Sequence, residues 1–455
     1  MYRWNPVVAV LVGAVLSASL VAQDDRNSAP AADTTVANDA FWAKVFTDHH
    51  VLEIELAVTR EQFEGLQPTR EGRNNNYPYV KARVTIDGKP FAAAGLRFKG
   101  NSSFRASEGT SKRPFKIDLN RFDKSQQLHG RTKLNLSTAF LDPAFMKEKL
   151  GYEIYRAAGM ATAGAGWANV TLRIDGEKQL LGIYVLLEQV DKQFLARKLG
   201  KASKDSLLMK PEGLSDWQYF GDKAEDNARY NIKVGEKNAE QIRQFAQLMK
   251  LIESGTDDEF EQQIASRMDL QQLAGYLAAT SLLANIDSYI GMPHNYYLVL
   301  DKADNLLRML PWDLNETFGA FTMGQDPEDL ANWDIDRPWV GKRRLLERLF
   351  ATKSFPRLYR AALQKLVEQE FTEAKLFARL QAYEDALTPV LQANKQAAEL
   401  ADLRMGLDGD IAGRNAAVRR PVLAIKPFIR KRIASVKAQL AGESEGKELR
   451  RSRRR

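Results

Sequence analysis

The sequence predicts an α+β protein with a β-rich first half and a helical second half. Apolar and polar residues alternate in several short segments of the first half, whereas helical periodicity dominates from Lys342 to about Leu440. A body of about 400 residues also exceeds what one hydrophobic core usually spans. We therefore expect two lobes, a β-rich lobe at about 41–200 and a helical lobe at about 238–441.

Tight turns separate the predicted strands. Residues 51–58 alternate as a half-buried strand does. The Asp-Gly pairs at 87–88 and 175–176 are strong hairpin signals, and each lies between two such segments. The alternating segment 114–119 places Lys116 on the face opposite its apolar side chains.

Capping residues mark the predicted helices. Asp142 is expected to cap a helix that begins at Pro143 and ends at Gly159. Asp269 is expected to cap another. The charged segment 205–237 is interpreted as a surface insertion or a lid. Breaks in the helical half are expected near Pro356, Pro389, Gly406 and Pro427.

The first 22 residues have the pattern of a secretion signal. Arg3 gives a basic start, and an apolar run from Val7 ends in small residues at Ala22. The run is short for a membrane-spanning helix, which needs ~20 residues. We expect cleavage and a secreted, periplasmic or cell-surface protein without stable membrane insertion. An uncleaved N-terminal anchor is the alternative.

Charge and cysteine content exclude several classes of protein. Residues 23–40 are predicted to be a disordered linker and 442–455 a basic disordered tail. Of the net charge of +8, the nine residues from Lys447 carry +5 and Arg3 carries +1, so the body carries only +2. This argues against a nucleic-acid-binding protein. The chain has no Cys, which excludes disulfides, thiolate metal sites and Cys nucleophiles.

The order of polar residues between about 97 and 319 fits phosphoryl transfer from ATP. Asp287 ends a predicted helix, Asn295 comes shortly after it, and a predicted hairpin leads to Asp313. In kinase-like proteins a base Asp, an Asn and a metal-binding Asp occur in this order. Each residue alone has an ordinary explanation as a turn residue, but their joint order favours the functional one.

The β-rich half supplies candidates for binding phosphates. Gly100, Asn101 and Ser102 follow a predicted strand, and their backbone N–H groups are suited to a phosphate chain. Lys116 is the candidate for contacting phosphates and Glu188 for orienting it. Alone, Lys116 could equally be a solvated strand residue and Glu188 a surface carboxylate.

Six separate motifs support one family resemblance. They are Arg97-Phe-Lys-Gly-Asn-Ser-Ser, Pro114-Phe-Lys-Ile-Asp-Leu, Lys133-Leu-Asn-Leu, Met146-Lys-Glu-Lys-Leu-Gly-Tyr-Glu, Gly182-Ile-Tyr-Val-Leu-Leu-Glu-Gln-Val-Asp-Lys and Pro311-Trp-Asp-Leu-Asn. Together they resemble the CotH family of atypical protein kinases over about residues 46–440. The resemblance implies a diverged protein-kinase-like fold. ATP and Mg²⁺ or Mn²⁺ would bind between the two lobes, and a protein Ser or Thr would be the target.

The resemblance also assigns roles to residues. It implies Asp287 as the catalytic-loop Asp, Asp313 as the metal-binding Asp, and Asn295 as a second metal ligand. The implied nucleotide-binding residues are Arg97, Gly100, Asn101, Ser102, Lys116 and Trp312, with Glu188 orienting the Lys. Trp312 could also be a core residue, and Lys99 is the alternative to Lys116. His294 is interpreted as a loop or packing residue, with a ligand as the alternative.

One departure from the family affects the metal site. Many relatives carry a second Asp where this chain has Asn315, and Glu316 is a candidate to compensate. Two other functions remain open. One is a non-catalytic surface or adhesion protein on the same fold, and the other is transfer of a different group, such as AMP, to protein or glycan.

Overall fold

The computed structural model describes residues 31–71, 74–409 and 423–449. The predicted signal at 1–22 lies outside these residues. The described chain mixes helices and strands, as expected of an α+β protein. Within these three ranges, no helix is long and apolar enough to cross a membrane.

Seven strands close into a barrel in the order β1-β4-β5-β6-β7-β9-β8, and the parallel pair β1–β8 completes the ring. A second sheet has the order β11-β10-β12-β13, and β2 pairs with β3. The strands are β1 (Val51–Val58), β2 (Thr69–Glu71), β3 (Asn74–Asn76), β4 (Val80–Ile86), β5 (Lys89–Phe98), β6 (Phe115–Asp118), β7 (Lys133–Ser137), β8 (Ala165–Ile174), β9 (Glu177–Glu188), β10 (Leu207–Met209), β11 (Ile232–Val234), β12 (Tyr296–Leu300) and β13 (Leu307–Pro311). Strands β10 and β11 come from the segment 205–237, so part of that segment belongs to a sheet.

The two Asp-Gly turns form as predicted. Asp87 and Gly88 have φ of 45° and 79°, and Asp175 and Gly176 have φ of 49° and 91°. Positive φ at both central residues is the geometry that matches the twist of a two-residue hairpin. These turns fix the register of β4 with β5 and of β8 with β9.

Apolar side chains pack into two clusters. The first fills the barrel and includes Leu56, Leu96 and Leu186. The second contains the helical part together with outward-facing residues of the barrel wall, among them Val185 and Leu187. Because successive side chains of a strand point to opposite faces, β9 contributes to both cores. The helices therefore pack against the outer face of the barrel wall.

Helix α4 lies between the barrel and helix α8. Tyr155 on α4 and Thr280 on α8 hydrogen-bond through their hydroxyls at 2.8 Å, and a Cβ at Gly275 would lie 2.5 Å from the carbonyl oxygen of Ala158. The helices are α1 (Ala31–Phe46), α2 (Arg60–Glu64), α3 (Ser102–Ala106), α4 (Lys147–Ala157), α5 (Lys192–Lys198), α6 (Ala239–Ser254), α7 (Asp257–Gln263), α8 (Leu270–Leu282), α9 (Pro327–Ala331), α10 (Arg344–Ala351), α11 (Phe355–Gln369), α12 (Glu373–Ala393), α13 (Ala397–Asp408) and α14 (Ile425–Ala441).

The start of α4 differs from the prediction. The helix begins at Lys147 and not at Pro143. Leu141 and Phe145 both have φ of 61°, which a helical turn cannot contain. Asp142 still serves the helix, because its Oδ2 accepts a hydrogen bond from the Lys147 backbone N–H at 2.8 Å.

Two of the predicted helix breaks are wrong. Pro389 lies inside α12 and Gly406 inside α13. A single Pro removes only one hydrogen bond from the 21-residue helix α12. Pro356 and Pro427 lie in the first turns of α11 and α14, where a helix needs no N–H donor.

Part of the predicted linker at 23–40 is helical, because α1 starts at Ala31. The helix covers one end of the barrel with Trp42, whose Nε1 donates to the carbonyl oxygen of His129 at 2.8 Å. Val45 is fully buried. The polar run at 23–30 that suggested disorder lies outside the described residues.

The predicted disordered tail at 442–455 is also partly ordered. Lys447 forms a parallel bridge with Trp333, and its N–H donates to the carbonyl oxygen of Asn332 at 2.7 Å. Leu449 is buried. The remaining residues of the tail lie outside the described chain.

Candidate active site

Asp287 lies in the loop between α8 and β12. Helix α8 ends at Leu282, so Asp287 lies beyond the helix and not on its last turn. Its carboxylate is held on both oxygens. Asn295 Nδ2 donates to Oδ2 at 2.8 Å and to the Asp287 carbonyl oxygen at 3.0 Å, and His294 Nε2 lies 3.2 Å from Oδ1.

His294 carries a positive charge at neutral pH. Burial alone would lower its pKa, but the hydrogen bond to Asp287 and the charge of that carboxylate raise the pKa to about 9. A further hydrogen bond joins the His294 ring to the Asn295 side chain. His294 and Asn295 therefore fix the orientation of Asp287. For His294 this is a more specific role than the loop or packing role that the sequence indicated.

Arg343 anchors this loop, and no pattern in the sequence had indicated that role. Its side chain is buried, Nε donates to the carbonyl oxygen of Tyr289 at 2.7 Å, and Nη2 donates to that of Gly291 at 2.5 Å. The N–H of Val340 donates to the carbonyl oxygen of Ile290 at 2.8 Å. Three consecutive carbonyl groups after Asp287 and Ser288 are thus held from outside the loop.

The hairpin of β12 and β13 brings Asp313 back to the same loop. Tyr296 pairs with Pro311 across the hairpin, and the N–H of Trp312 donates to the carbonyl oxygen of Asn295 at 3.2 Å. Asp313 has φ of 59°, an uncommon conformation for a residue with a side chain, and its carboxylate is exposed. Backbone strain of this kind is frequent at functional sites.

A buried carboxylate and a Lys lie beside Asp313. Glu148, in the first turn of α4, is fully buried. Burial, followed by the charge of Asp313, raises its pKa to about 8, while the charge of Lys99 opposes that shift. Burial lowers the pKa of Lys99, and the two carboxylates oppose that shift. The three groups therefore interact electrostatically, although none forms a direct ion pair with another.

Glu148 was missed because its neighbours in the sequence are charged. Lys147, Glu148 and Lys149 look like one solvated face of a helix, yet all three are buried. Leu150 and Tyr152, which follow directly, are also buried. Tyr152 and Tyr155 lie four and seven residues after Glu148 and therefore share its helix face, and a carboxylate on such an apolar face is the signal that could have identified Glu148.

Lys116 lies on the outer face of the barrel wall, which carries a row of polar residues. In register, Arg97 on β5 pairs with Lys116 on β6, which pairs with Asn135 on β7. Lys116 Nζ donates to Gln189 Oε1 at 2.5 Å. Burial lowers the pKa of Lys116 to about 7, and the positive charges of Arg97, Lys133 and Lys99 contribute. This cationic surface is suited to anions.

Glu188 does not hold Lys116, and that part of the prediction is wrong. Glu188 pairs in register with Leu134, one residue away from the row of Lys116, so its side chain points to the opposite face of the wall. There its Oε1 lies 2.8 Å from Arg197 Nη2 and 3.1 Å from Arg131 Nη2. Its Oε2 accepts from the backbone N–H of Gly164 at 2.9 Å. These contacts connect Glu188 to neighbouring parts of the fold, and none of them involves Lys116.

The loop from Gly100 starts directly after Lys99. Gly100 has φ of 84°, and a Cβ there would lie 2.5 Å from Ser103 Oγ, so glycine is required. Asn101 and Ser102 are exposed. The loop is therefore accessible beside Lys99, as a phosphate-binding segment must be.

Trp312 is buried, and Lys99 Nζ lies 5.8 Å from the centre of its ring. Its burial favours a core residue over a residue that shapes the nucleotide pocket.

A divalent ion fits Asp313 only with ligands from elsewhere. In the part of the chain that the structure describes, no three His, Asp or Glu side chains converge as a complete metal site. Mg²⁺ commonly takes one or two protein carboxylates and completes its shell with phosphate oxygens and water. The exposed carboxylate of Asp313 fits that pattern. Asn295 uses its amide nitrogen on Asp287, so a metal could be coordinated only by its oxygen, which also accepts from the His294 ring.

Glu316 is the third carboxylate of this region. Burial, followed by the charges of Asp287 and Asp313, raises its pKa to about 8. Asn315 Nδ2 donates to the carbonyl oxygen of Phe140 at 2.7 Å, so this amide connects the loop to the segment before α4.

A Lys beside two carboxylates, with an Asp on the neighbouring loop, is the set of side chains that kinase-like proteins use. Comparison with known proteins agrees. The family described as CotH kinase protein matches residues 96–436, and the chain belongs to this family. The inner spore coat protein H of Bacillus subtilis (strain 168) is 23% identical over 265 residues, which are 56% of this chain and 69% of that protein.

Glu188→Gln should destabilise the protein without weakening ATP binding. The change removes the charge that pairs with buried Arg131, and breaking a buried pair typically costs about 3 kcal/mol or more. Urea unfolding and calorimetric ATP titration measure the two effects. Glu177→Gln, at an exposed turn, is the control. A variant of unchanged stability that no longer bound ATP would return Glu188 to the nucleotide site.

Proposed function

We propose that this protein is an exported kinase that transfers the γ-phosphate of ATP to Ser or Thr hydroxyls of a protein, with Mg²⁺ or Mn²⁺. The observation that carries the proposal is the convergence of Lys99, Glu148 and Asp313 next to the loop of Asp287. In this proposal the barrel and the helical part are the two lobes of a kinase-like fold, and ATP binds in the cleft between them.

In this proposal Lys99 takes the role that the sequence analysis assigned to Lys116. Its charge interacts with both Asp313 and Glu148, and it would contact the phosphates while Glu148 keeps it in place. Arg97 and Lys116 would contact the phosphate chain farther along the wall of the barrel. Gly100, Asn101 and Ser102 would cover it through their backbone N–H groups.

Asp313 would hold the divalent ion, with Asn295 as a further oxygen ligand. When bound, the ion neutralises the charge that builds up on the phosphates during transfer. Asp287 would orient the attacking hydroxyl and accept its proton. His294 and Asn295 keep both carboxylate oxygens of Asp287 in position, which is the preorganisation that such a step requires.

Export is supported by the apolar run within residues 1–22 and by the name of the relative, which is a spore coat protein. The family description supports a kinase, and the resemblance to atypical protein kinases makes a protein the target in this proposal. The sequence and the geometry do not point to nucleic acid, because the body is nearly neutral.

Asp313→Asn and Asp287→Asn should fail in different ways. The first should lose metal-dependent ATP binding and phosphate transfer together, because it removes the charge that holds the ion. The second should keep ATP binding and lose transfer by ~10²-fold or more, because it removes the proton acceptor. Calorimetry with Mg²⁺ and a phosphorylation assay with labelled ATP measure both. Transfer at the parent rate in both variants would refute the assignment and favour the adhesion function, and an adduct of AMP mass would indicate AMP transfer.

Lys99→Met should weaken ATP binding, and Glu148→Gln should weaken it less. Removing the Lys deletes a charge that contacts phosphate, worth about 1.5 to 3 kcal/mol for a charged hydrogen bond. Replacing Glu148 only loosens the position of that Lys. Lys81→Met, on the exposed side of the barrel, is the control. Equal ATP affinity in Lys99→Met and the parent would mean that Lys99 does not touch the nucleotide.

ATP binding at pH 8 should take up a proton at Lys116. Its pKa is about 7 in the free protein, so the amine is mostly neutral at pH 8, and a nearby phosphate would raise that pKa. Affinity should therefore fall as pH rises above 7. Calorimetry in buffers of different ionisation enthalpy measures the uptake. Lys116→Arg stays charged and should abolish it. Identical heats in all buffers would exclude Lys116 from the phosphate site.

A further inference from the structure

Glu316 is a nearly buried carboxylate without a partner. It is 8% exposed, and within the described residues its carboxylate makes no hydrogen bond and no ion pair, while its oxygens keep a small contact with solvent. Polar groups in residues buried to this extent normally have a hydrogen-bond partner, because losing contact with water without gaining a partner is costly. A carboxylate left in this state points to a ligand that is absent from the protein alone.

The surroundings of Glu316 identify the kind of ligand. The charged groups that face it are Asp287, Asp313, Lys147 and His294. Two are carboxylates, and they repel it. Lys147 does not neutralise it directly, because Lys147 Nζ donates instead to the carbonyl oxygen of Leu141 at 3.2 Å. A site with oxygen donors and excess negative charge fits a divalent cation.

Asn315 is poorly placed for that role in this chain. Its amide nitrogen is used by Phe140, and the side chain is nearly buried against the segment before α4. An amide oxygen can coordinate a metal but adds no negative charge. The next residue, Glu316, supplies the charge that Asn315 lacks.

We infer that Glu316 is the second carboxylate ligand of the divalent ion held by Asp313. The inference rests on the proposed function, since it places the ion at Asp313. With Asp313 and Glu316 both bound, the ion would have two protein carboxylates and would leave its other positions to phosphate oxygens and water. That ligand number is ordinary for Mg²⁺ and Mn²⁺ at a nucleotide site.

Mn²⁺ binding to the full chain tests this without measuring activity. Free and bound Mn²⁺ are distinguished by electron paramagnetic resonance, with and without a non-hydrolysable ATP analogue. Glu316→Gln should weaken Mn²⁺ binding by about 10- to 100-fold, by analogy with losses seen at metal sites. Glu316→Asp should retain part of the affinity, and Glu261→Gln, exposed on α7, should retain all of it. The rise in Tm on adding Mn²⁺ should shrink in the same order.

The results separate this inference from the proposed function. If the parent chain binds no Mn²⁺ under either condition, the proposed function is wrong. If Asp313→Asn loses Mn²⁺ but Glu316→Gln binds it like the parent, only the inference about Glu316 is wrong. Circular dichroism in EDTA shows whether each variant is folded. If Glu316→Gln does not fold, Glu316→Asp decides. A measurable loss of Mn²⁺ affinity in Glu316→Asp, with parent-like affinity in Glu261→Gln, supports Glu316 as a metal ligand, and parent-like affinity in both contradicts it.

Discussion

The burial of the charged first turn of α4 is the constraint on which the site depends. Lys147, Glu148 and Lys149 lie between the barrel and the helical part, and each meets a different element. Glu148 accepts from the N–H of Leu314 at 3.3 Å, beside Asp313. Lys149 Nζ donates to the carbonyl oxygens of Phe46 at 2.6 Å and of Ala165 at 3.1 Å. One helical turn thus joins α1, the barrel and the loop after β13. Because buried charges tolerate little displacement, it fixes their relative positions.

The second organising element is the hairpin of β12 and β13. Asp287 and Asn295 precede it and Asp313 follows it, so residues that are distant in sequence meet at its open end. The backbone bond from Trp312 to Asn295 closes that end. Arg343 holds the other side of the loop. The proposed catalytic groups therefore lie on backbone that is held from both sides, as efficient proton and phosphoryl transfer would require.

Several ionisable side chains of the site are buried at a cost in electrostatic free energy. Glu148 and Glu316 have raised pKa values because they are buried close to other carboxylates, and Lys99 and Lys116 have lowered ones. A protein selected only for stability would not keep such groups. Perturbed titrations that cluster in one cleft are characteristic of functional sites, and phosphates and a divalent ion would offset these charges.

Features that depend on local interactions, such as turns, could be predicted from the sequence. The Asp-Gly hairpins followed from turn chemistry, and the family followed from motifs that keep their residues and their order. The proximity of Asp313 to Asn295 could be expected from the hairpin between them. Only the tertiary structure decided which Lys approaches which carboxylate. Alternation predicted the face of Lys116 but not the register that turns Glu188 away from it. Nothing local distinguishes buried Glu148 from a solvated charge, since its burial is created by packing between elements that are far apart in the chain.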